Sequence, residues 1–313
     1  MNDICKIITK LYSSRMLVLF LQNWVDKLYL LKKIMKFLIV SLITLLTAFS
    51  AQAQRFSVNL FAGASNYQGD LQDKRYTFNQ AHFAGGLGLS YDLNDHFTIR
   101  SGVLLSKLSA DDKLGRNKQR NLNFTSGLTE GHLGLQYYIT PLADHALTPY
   151  VFAGVALYHF DPYTHDTSGS KYYLRPLSTE GQGFVDGKKN YNLTQMAIPF
   201  GAGVKLSLSE NINVGLELGL RKSFTDYLDD VSTIYPDEAL LLANRGPKAV
   251  ELSSRGGELK TGIPYQSGDQ RGSSKYKDMY YFTGLTLSFR LGNGSGGALG
   301  KRNSQYGCPV NVQ

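Results

Sequence analysis

Eight stretches of this chain alternate apolar residues with small or polar ones at a period of two, and the connections between them alternate in length. Period two is the signature of a β-strand, whose successive side chains leave on opposite faces. Phe56 to Ala64 sets Phe56, Val58, Leu60 and Ala62 against Ser57, Asn59, Phe61 and Gly63. The pattern recurs in His82–Leu93, Phe97–Leu108, Leu128–Ile139, Gln195–Leu208, Ile212–Phe224 and Tyr280–Leu291, while Tyr150–Phe160 is apolar and Gly/Ala-rich on both faces. Each stretch is about as long as a tilted membrane strand of roughly 9–11 residues. Residues 94–96, 140–148 and 209–211 form the shorter connections; 65–81, 109–127, 161–194 and 225–279 form the long, polar, Gly-rich ones. Bacterial outer-membrane barrels sort short periplasmic turns from long external loops in this way. The pattern predicts an all-β, eight-stranded, antiparallel up-and-down transmembrane barrel with both termini periplasmic.

The two faces separate a membrane barrel from a water-soluble sheet. The Gly-bearing face carries Arg100, Glu130, His132, Lys205, Glu217, Arg221 and Arg290, whereas the opposite face lacks charge over its central stretch. A lipid-embedded barrel needs that inversion, with polar groups inside and apolar groups outside. An eight-stranded barrel is only wide enough to be filled by side chains, so these charges must pair with one another. Glu217 is expected to meet Arg100, Lys205 or Arg221. Tyr91, Tyr137, Tyr150, Tyr158, Tyr280 and Tyr281 lie near strand ends and are expected to form interfacial girdles. Pro199 runs against the pattern, because it cannot donate a ladder hydrogen bond, and it requires a bulge or a strand start.

The leader explains most of the charge. Residues 1–53 hold seven Lys/Arg and two Asp/Glu, a net of +5 within a total of +8, and the remainder is nearly balanced. Such a balance gives no electrostatic case for nucleic-acid binding. Within the leader, Lys36, the uncharged run Phe37–Phe49 and the triplet Ala51-Gln52-Ala53 form a signal peptide over 35–53. Residues 1–34 precede a plausible start at Met35; they are a misplaced start or an extended n-region, or alternatively an amphipathic anchor helix. The barrel is expected over 54–291 and a flexible periplasmic tail over 292–313. Cys308 lies in that tail and is the single Cys after the leader, which makes it a candidate for an interchain disulfide in the oxidising periplasm.

Candidate chemistry is sparse. Glu130 and His132 sit two apart on one strand face and could pass a proton, but no nucleophile or metal ligand set accompanies them; a place in the interior charge network fits them better. Asp226, Asp229 and Asp230 lack the spacing of a known calcium loop and are expected in a solvated turn. At the outer rim Asp229, Asp230 and His159 form no recognisable catalytic set. No cofactor or metal is expected, and an enzyme is the least favoured class.

Four phrases go beyond generic barrel pattern: Asn66-Tyr67-Gln68-Gly69-Asp70-Leu71, Leu177-Ser178-Thr179-Glu180-Gly181-Gln182, Ala197-Ile198-Pro199-Phe200-Gly201, and Arg221 to Ser232 followed by Tyr235-Pro236. Together they resemble a family of Bacteroidetes outer-membrane β-barrels that includes PorG of the type IX secretion system. The likeness covers nearly all of the chain after the leader, and a Pro at the position of Pro199 belongs to it. It implies a non-enzymatic barrel that ties periplasmic ring or lipoprotein subunits to the outer membrane. A generic small barrel serving envelope integrity or external binding is the alternative.

Overall fold

The computed structural model describes residue 36 and residues 55–291, apart from 73, 75–76, 143–144, 261 and 263–264. The leader apart from residue 36, and the tail with Cys308, therefore lie outside the described residues. Nine strands are present: β1 (Phe56–Gln68), β2 (His82–Asp92), β3 (Phe97–Asp111), β4 (Asn123–Tyr138), β5 (Leu147–His165), β6 (Lys171–Tyr173), β7 (Thr194–Ser207), β8 (Ile212–Ser223) and β9 (Met279–Arg290). All but β6 form one closed antiparallel ring, in which each strand pairs with the next and β9 returns to β1. Closure satisfies both edges of every strand, which a sheet in lipid requires. The short β6 is an addition that the sequence pattern did not predict; it pairs with the far end of β5, Tyr163 opposite Tyr173.

The alternation settles which face is which. Leu87, Leu105, Leu133, Leu157, Leu216 and Leu285 all point outward and stay exposed, each by more than half. Glu130, Glu217 and Arg221 point inward and are buried. An apolar belt of this kind around a closed ring is a lipid-facing surface. Small residues let neighbouring strands approach: a Cβ added to Gly154 would lie 2.2 Å from the Leu133 carbonyl oxygen and 2.6 Å from the Gly134 Cα.

Two expectations fail here. Tyr150, Tyr158 and Tyr280 are not girdle residues; they are almost wholly buried in the lumen. Strand β5 is apolar on both faces, so its polarity could not orient it. The aromatic pairs Phe56–Tyr91, at 4.7 Å, and Phe97–Tyr137, at 5.0 Å, cluster instead at the short-turn end. Pro199 needs neither bulge nor strand start. It lies within β7, buried, opposite Arg221 of β8. The β5–β7 ladder lapses between Ala153–Phe200 and Ala156–Ala197 and resumes in the same register.

The strands also run further than the pattern shows at the long-loop end, β5 reaching His165. Beyond them the loops carry helices α1 (Leu174–Leu177), α2 (Glu238–Arg245) and α3 (Pro247–Ser253). The Asp237 side chain caps α2 by accepting the Leu240 N–H, at 2.9 Å. Gly246, with φ of 81°, takes the backbone through the left-handed region between α2 and α3. No described helix is long and apolar enough to cross a membrane.

Candidate functional site: a filled lumen under a loop plug

The interior is filled in layers, beginning at the short-turn end. Arg290 of β9 donates to Asp92 of β2 at 3.1 Å, and Lys205 of β7 donates to the Tyr138 hydroxyl at 2.7 Å. Next, Arg100 on β3 forks onto Glu217 on β8 with bonds of 2.7 and 3.0 Å, while the Tyr150 hydroxyl donates to the same carboxylate at 2.8 Å. The Phe152 ring lies 4.3 Å from the Arg100 guanidinium carbon. One layer further, Glu130 on β4 accepts from Arg221 at 3.2 Å and from Tyr280 at 2.9 Å, with His132 Nδ1 at 3.4 Å. A bidentate guanidinium–carboxylate pair is stronger than a neutral hydrogen bond, and its geometry is fixed. All seven interior candidates thus have located positions: Arg100 meets Glu217, Arg221 and His132 meet Glu130, Arg290 meets Asp92, and Lys205 meets a tyrosine rather than a carboxylate. A cavity of about 50 Å³ remains between the layers, lined by Asn59, Arg100, His132, Tyr150, Lys205 and Glu217 among others. That volume holds a few waters at most.

Above the ion pairs comes an aromatic layer. Tyr158 packs on Tyr280 at 5.2 Å and Tyr67 on Phe124 at 5.0 Å, while Tyr191 stacks on Tyr227 at 4.9 Å. The long loops close over it as a plug built around buried charge. Glu180, in the third long loop, accepts the backbone N–H groups of Ser232 and Thr233 at 2.8 and 3.0 Å and the Arg271 guanidinium at 3.1 Å. Arg271 also donates to the Asp230 carbonyl at 2.5 Å and to that of Ser253 at 3.3 Å. The Asp230 carboxylate accepts hydroxyl bonds from Thr179 and Tyr191. Asp112 takes two 2.7 Å bonds from Arg120, which reaches on to the carbonyls of Asp70 and Arg271. Asn121, Ser178 and Asp230 adopt positive φ (59°, 49° and 66°) and are buried in this plug. Such strain persists only where surrounding contacts over-determine it.

One hydroxyl serves two carboxyls at the centre. Tyr67 Oη lies 2.7 Å from Asp229 Oδ2 and 2.9 Å from Asp278 Oδ1. A phenol has one proton to give, so the second contact needs a proton from a carboxylic acid. Burial raises the pKa of Asp229 and Asp278 well above the usual carboxylate range, reinforced by repulsion from Asp278 at Asp229 and from Asp226 at Asp278. Burial also raises Asp226 to about 7 and Asp230 to about 6, the latter opposed by Arg271. Asp226, Asp229 and Asp230 are therefore not in a solvated turn, because all three are buried. His159 joins none of them; it is exposed and contacts Thr194 Oγ1 at 3.0 Å. Among the described residues no group of three or more His, Cys, Asp or Glu is arranged to hold a metal ion.

Composition and periodicity gave no sign of Glu180, Arg271, Arg120, Asp112 or Asp278. Three of the phrases singled out in the sequence nevertheless meet here. Tyr67 of the first contacts Asp229 of the last, and Glu180 of the second binds Ser232 of the last.

In sequence the chain matches none of the curated proteins. Solved structures similar to it include Neisserial surface protein A (10% identity, 75% of this chain and 96% of that chain, TM-score 0.39). OprG from Pseudomonas aeruginosa is another (10% identity, 76% and 97%, TM-score 0.34). A third is Ail, the attachment invasion locus protein of Yersinia pestis, in complex with the heparin analogue sucrose octasulfate (8% identity, 75% and 98%, TM-score 0.34). The family described as a domain of unknown function, DUF6089, matches residues 35–242, most of the chain, and the chain belongs to that family.

Proposed function

We propose that this chain is an outer-membrane barrel, with its short turns and both termini in the periplasm and its plug outside. In this reading it acts without catalysis, as a structural component of type IX protein secretion that anchors periplasmic ring or lipoprotein subunits to the membrane. The observation that carries a structural role is the Arg100–Glu217 fork across the lumen, with a second charged layer and a buried plug above it. A barrel crossed in this way offers no wide path for a solute and serves as a rigid fixture in the membrane. The secretion role draws on the resemblance of the Arg221–Ser232 phrase, whose residues build the plug. Cys308 is the residue proposed to bond a periplasmic partner.

Deleting the gene and assaying secreted cargo tests the role, together with thiol-blocked, non-reducing electrophoresis of the tagged barrel. Lost secretion and a heavier species containing a ring or lipoprotein subunit, abolished by Cys308→Ser, would support both parts. Intact secretion with a leaky envelope would favour the generic barrel.

A further inference from the structure

Among the described residues the outward faces of the strands are free of charge through the centre of the belt, and Lys107 and Lys222 lie on them near the plug end. Lys222 is the clearest case. It lies on the same face of β8 as the lipid-facing Leu216 and Leu218 and is exposed, one position inward of Phe224, which is also exposed. Lys222 pairs in the ladder with Met279, the first residue of β9, and Met279 also pairs with Gln68 at the end of β1. Lys275, Tyr276 and Lys277 immediately precede β9 and are exposed.

These residues line one open groove of about 740 Å³, together with Gly69, Asp70, Asp112 and Arg116. Each of its two carboxylates accepts hydrogen bonds from the protein. Both oxygens of Asp112 are taken by Arg120, and Asp70 Oδ2 accepts the Ser273 N–H at 2.8 Å. Among the described residues Lys222, Lys275 and Lys277 have no ion-pair partner; Lys277 donates only to the Ser274 carbonyl at 3.3 Å, and Lys275 lies over the Tyr276 ring at 5.5 Å. The groove therefore opens on a cluster of cations, lined also by Tyr276, at the level where the apolar belt ends. Aromatic and basic side chains in this combination suit the headgroup layer of a bilayer. Lysines at an anionic lipid surface strengthen binding by attraction to its charge.

We propose that this groove binds the phosphate groups of a phosphorylated glycolipid headgroup in the outer leaflet. The proposal rests on the outer-membrane orientation given above. The hydrocarbon chains would lie along the apolar faces of β8, β9 and β1, and the phosphates among Lys222, Lys275 and Lys277. A free polyanion such as a sulfated polysaccharide would meet the lysines too, but would leave the adjoining lipid-facing strands without a role.

The test titrates the full barrel, purified in neutral detergent, against a fluorescent bisphosphorylated lipid A. The same lipid stripped of phosphate and inorganic phosphate as a competitor form the other arms. The Lys222→Gln/Lys275→Gln/Lys277→Gln variant should bind at least about tenfold more weakly than wild type. Lys189→Gln, on an exposed loop away from the groove, should match wild type. Heat-modifiable migration on gels checks that each variant is folded; if the triple variant is not, Lys277→Gln alone should still weaken binding several-fold. Equal affinity of wild type and a folded variant would overturn the proposal, as would equal affinity for the phosphate-free lipid. Full competition by millimolar inorganic phosphate, or by a sulfated polysaccharide alone, would also overturn it and assign the groove to a soluble anion. Failure of wild type to enter bilayers would instead sink the membrane reading on which the proposal rests.

Discussion

Arg100 and Glu217, 117 residues apart in sequence, stand on strands at opposite sides of the ring and join across the lumen through two hydrogen bonds of 2.7 and 3.0 Å. Glu217 is 4% exposed, and its remaining contact is the Tyr150 hydroxyl. Removing one member of such a pair leaves the other charged and buried, which costs more than the pair itself contributes. Glu217→Ala should therefore destabilise the barrel by roughly 3–5 kcal/mol. Urea unfolding in lipid vesicles, followed by the heat-modifiable gel shift, measures this. Arg100→Met with Glu217→Met should recover most of the loss, because two apolar chains leave no stranded charge. A destabilisation below about 1 kcal/mol for Glu217→Ala would show that the surrounding lumen solvates the cation.

The contrast between the lumen and the plug shows what a sequence can reveal. Arg100, Glu130, Glu217 and Arg221 lie within alternating strands, so their shared face follows from parity alone. Which strands face one another then follows from closure of an up-and-down ring. Asp226, Asp229 and Asp230 sit in a segment with no period, rich in polar residues, and local pattern favours a turn in water. Their burial depends on Glu180 and Arg271, which arrive from other parts of the chain, 52 residues before Ser232 and 41 residues after Asp230 respectively. No local signal records such a meeting. Tyr150 and Tyr158 were missed for another reason: both faces of β5 are apolar, so parity alone cannot say which side enters the lumen.

Arg271 is the cation about which the plug is organised, touching Glu180 and Asp230 and the backbone of Ser253. Glu180 and Asp230 are fully buried. Arg271→Ala should release the loops while leaving the membrane-spanning strands intact, since their ladders and ion pairs lie elsewhere. The loss should be roughly 3–5 kcal/mol in the free energy of loop opening, the range for breaking a buried ion pair. Limited proteolysis of the folded barrel should then cut within 225–278 where wild type resists, with heat-modifiable migration unchanged. Loss of that migration would show that plug and barrel fold as one unit.

The shared Tyr67 hydroxyl makes the plug sensitive to pH. Burial raises the pKa values of Asp229 and Asp278 well above the usual carboxylate range, and that of Asp226 to about 7. A carboxyl with a higher pKa in the closed plug than in the open one holds its proton more tightly when closed. Its stabilising contribution is complete below about pH 4 and is lost as pH rises through the folded value. Closure should therefore weaken from mildly acidic conditions through pH 7 and beyond, the Asp229–Asp278 pair extending the decline. Hydrogen exchange of the Leu228 N–H, which donates to Asp278 at 2.9 Å, reports closure once corrected for the intrinsic rate. Asp278→Asn keeps an acceptor for that N–H without the charge and should flatten the profile. Protection that increases with pH in wild type would contradict the sign.

The proposed orientation rests on the asymmetry of the two ends. The turn joining β2 to β3 and the turn joining β7 to β8 are short, and the opposite end carries the plug with its buried charges and positive-φ residues. Bacterial outer-membrane barrels place short turns in the periplasm and long loops outside, and this supports the proposed orientation with the plug outside. Single cysteines placed by Lys118→Cys, at an exposed site in the second long loop, and by Asp95→Cys or Glu210→Cys in the short turns separate the two possibilities. Cys308→Ser should be the background, to remove the natural thiol of the tail. A membrane-impermeant maleimide added to intact cells should label the Lys118 position and spare both turns, and all three should react after the envelope is permeabilised. Labelling of the turns in intact cells, with the Lys118 position protected, would invert the barrel. It would also remove the groove around Lys222 from the outer leaflet, so the same experiment bears on the lipid site and on the anchoring role.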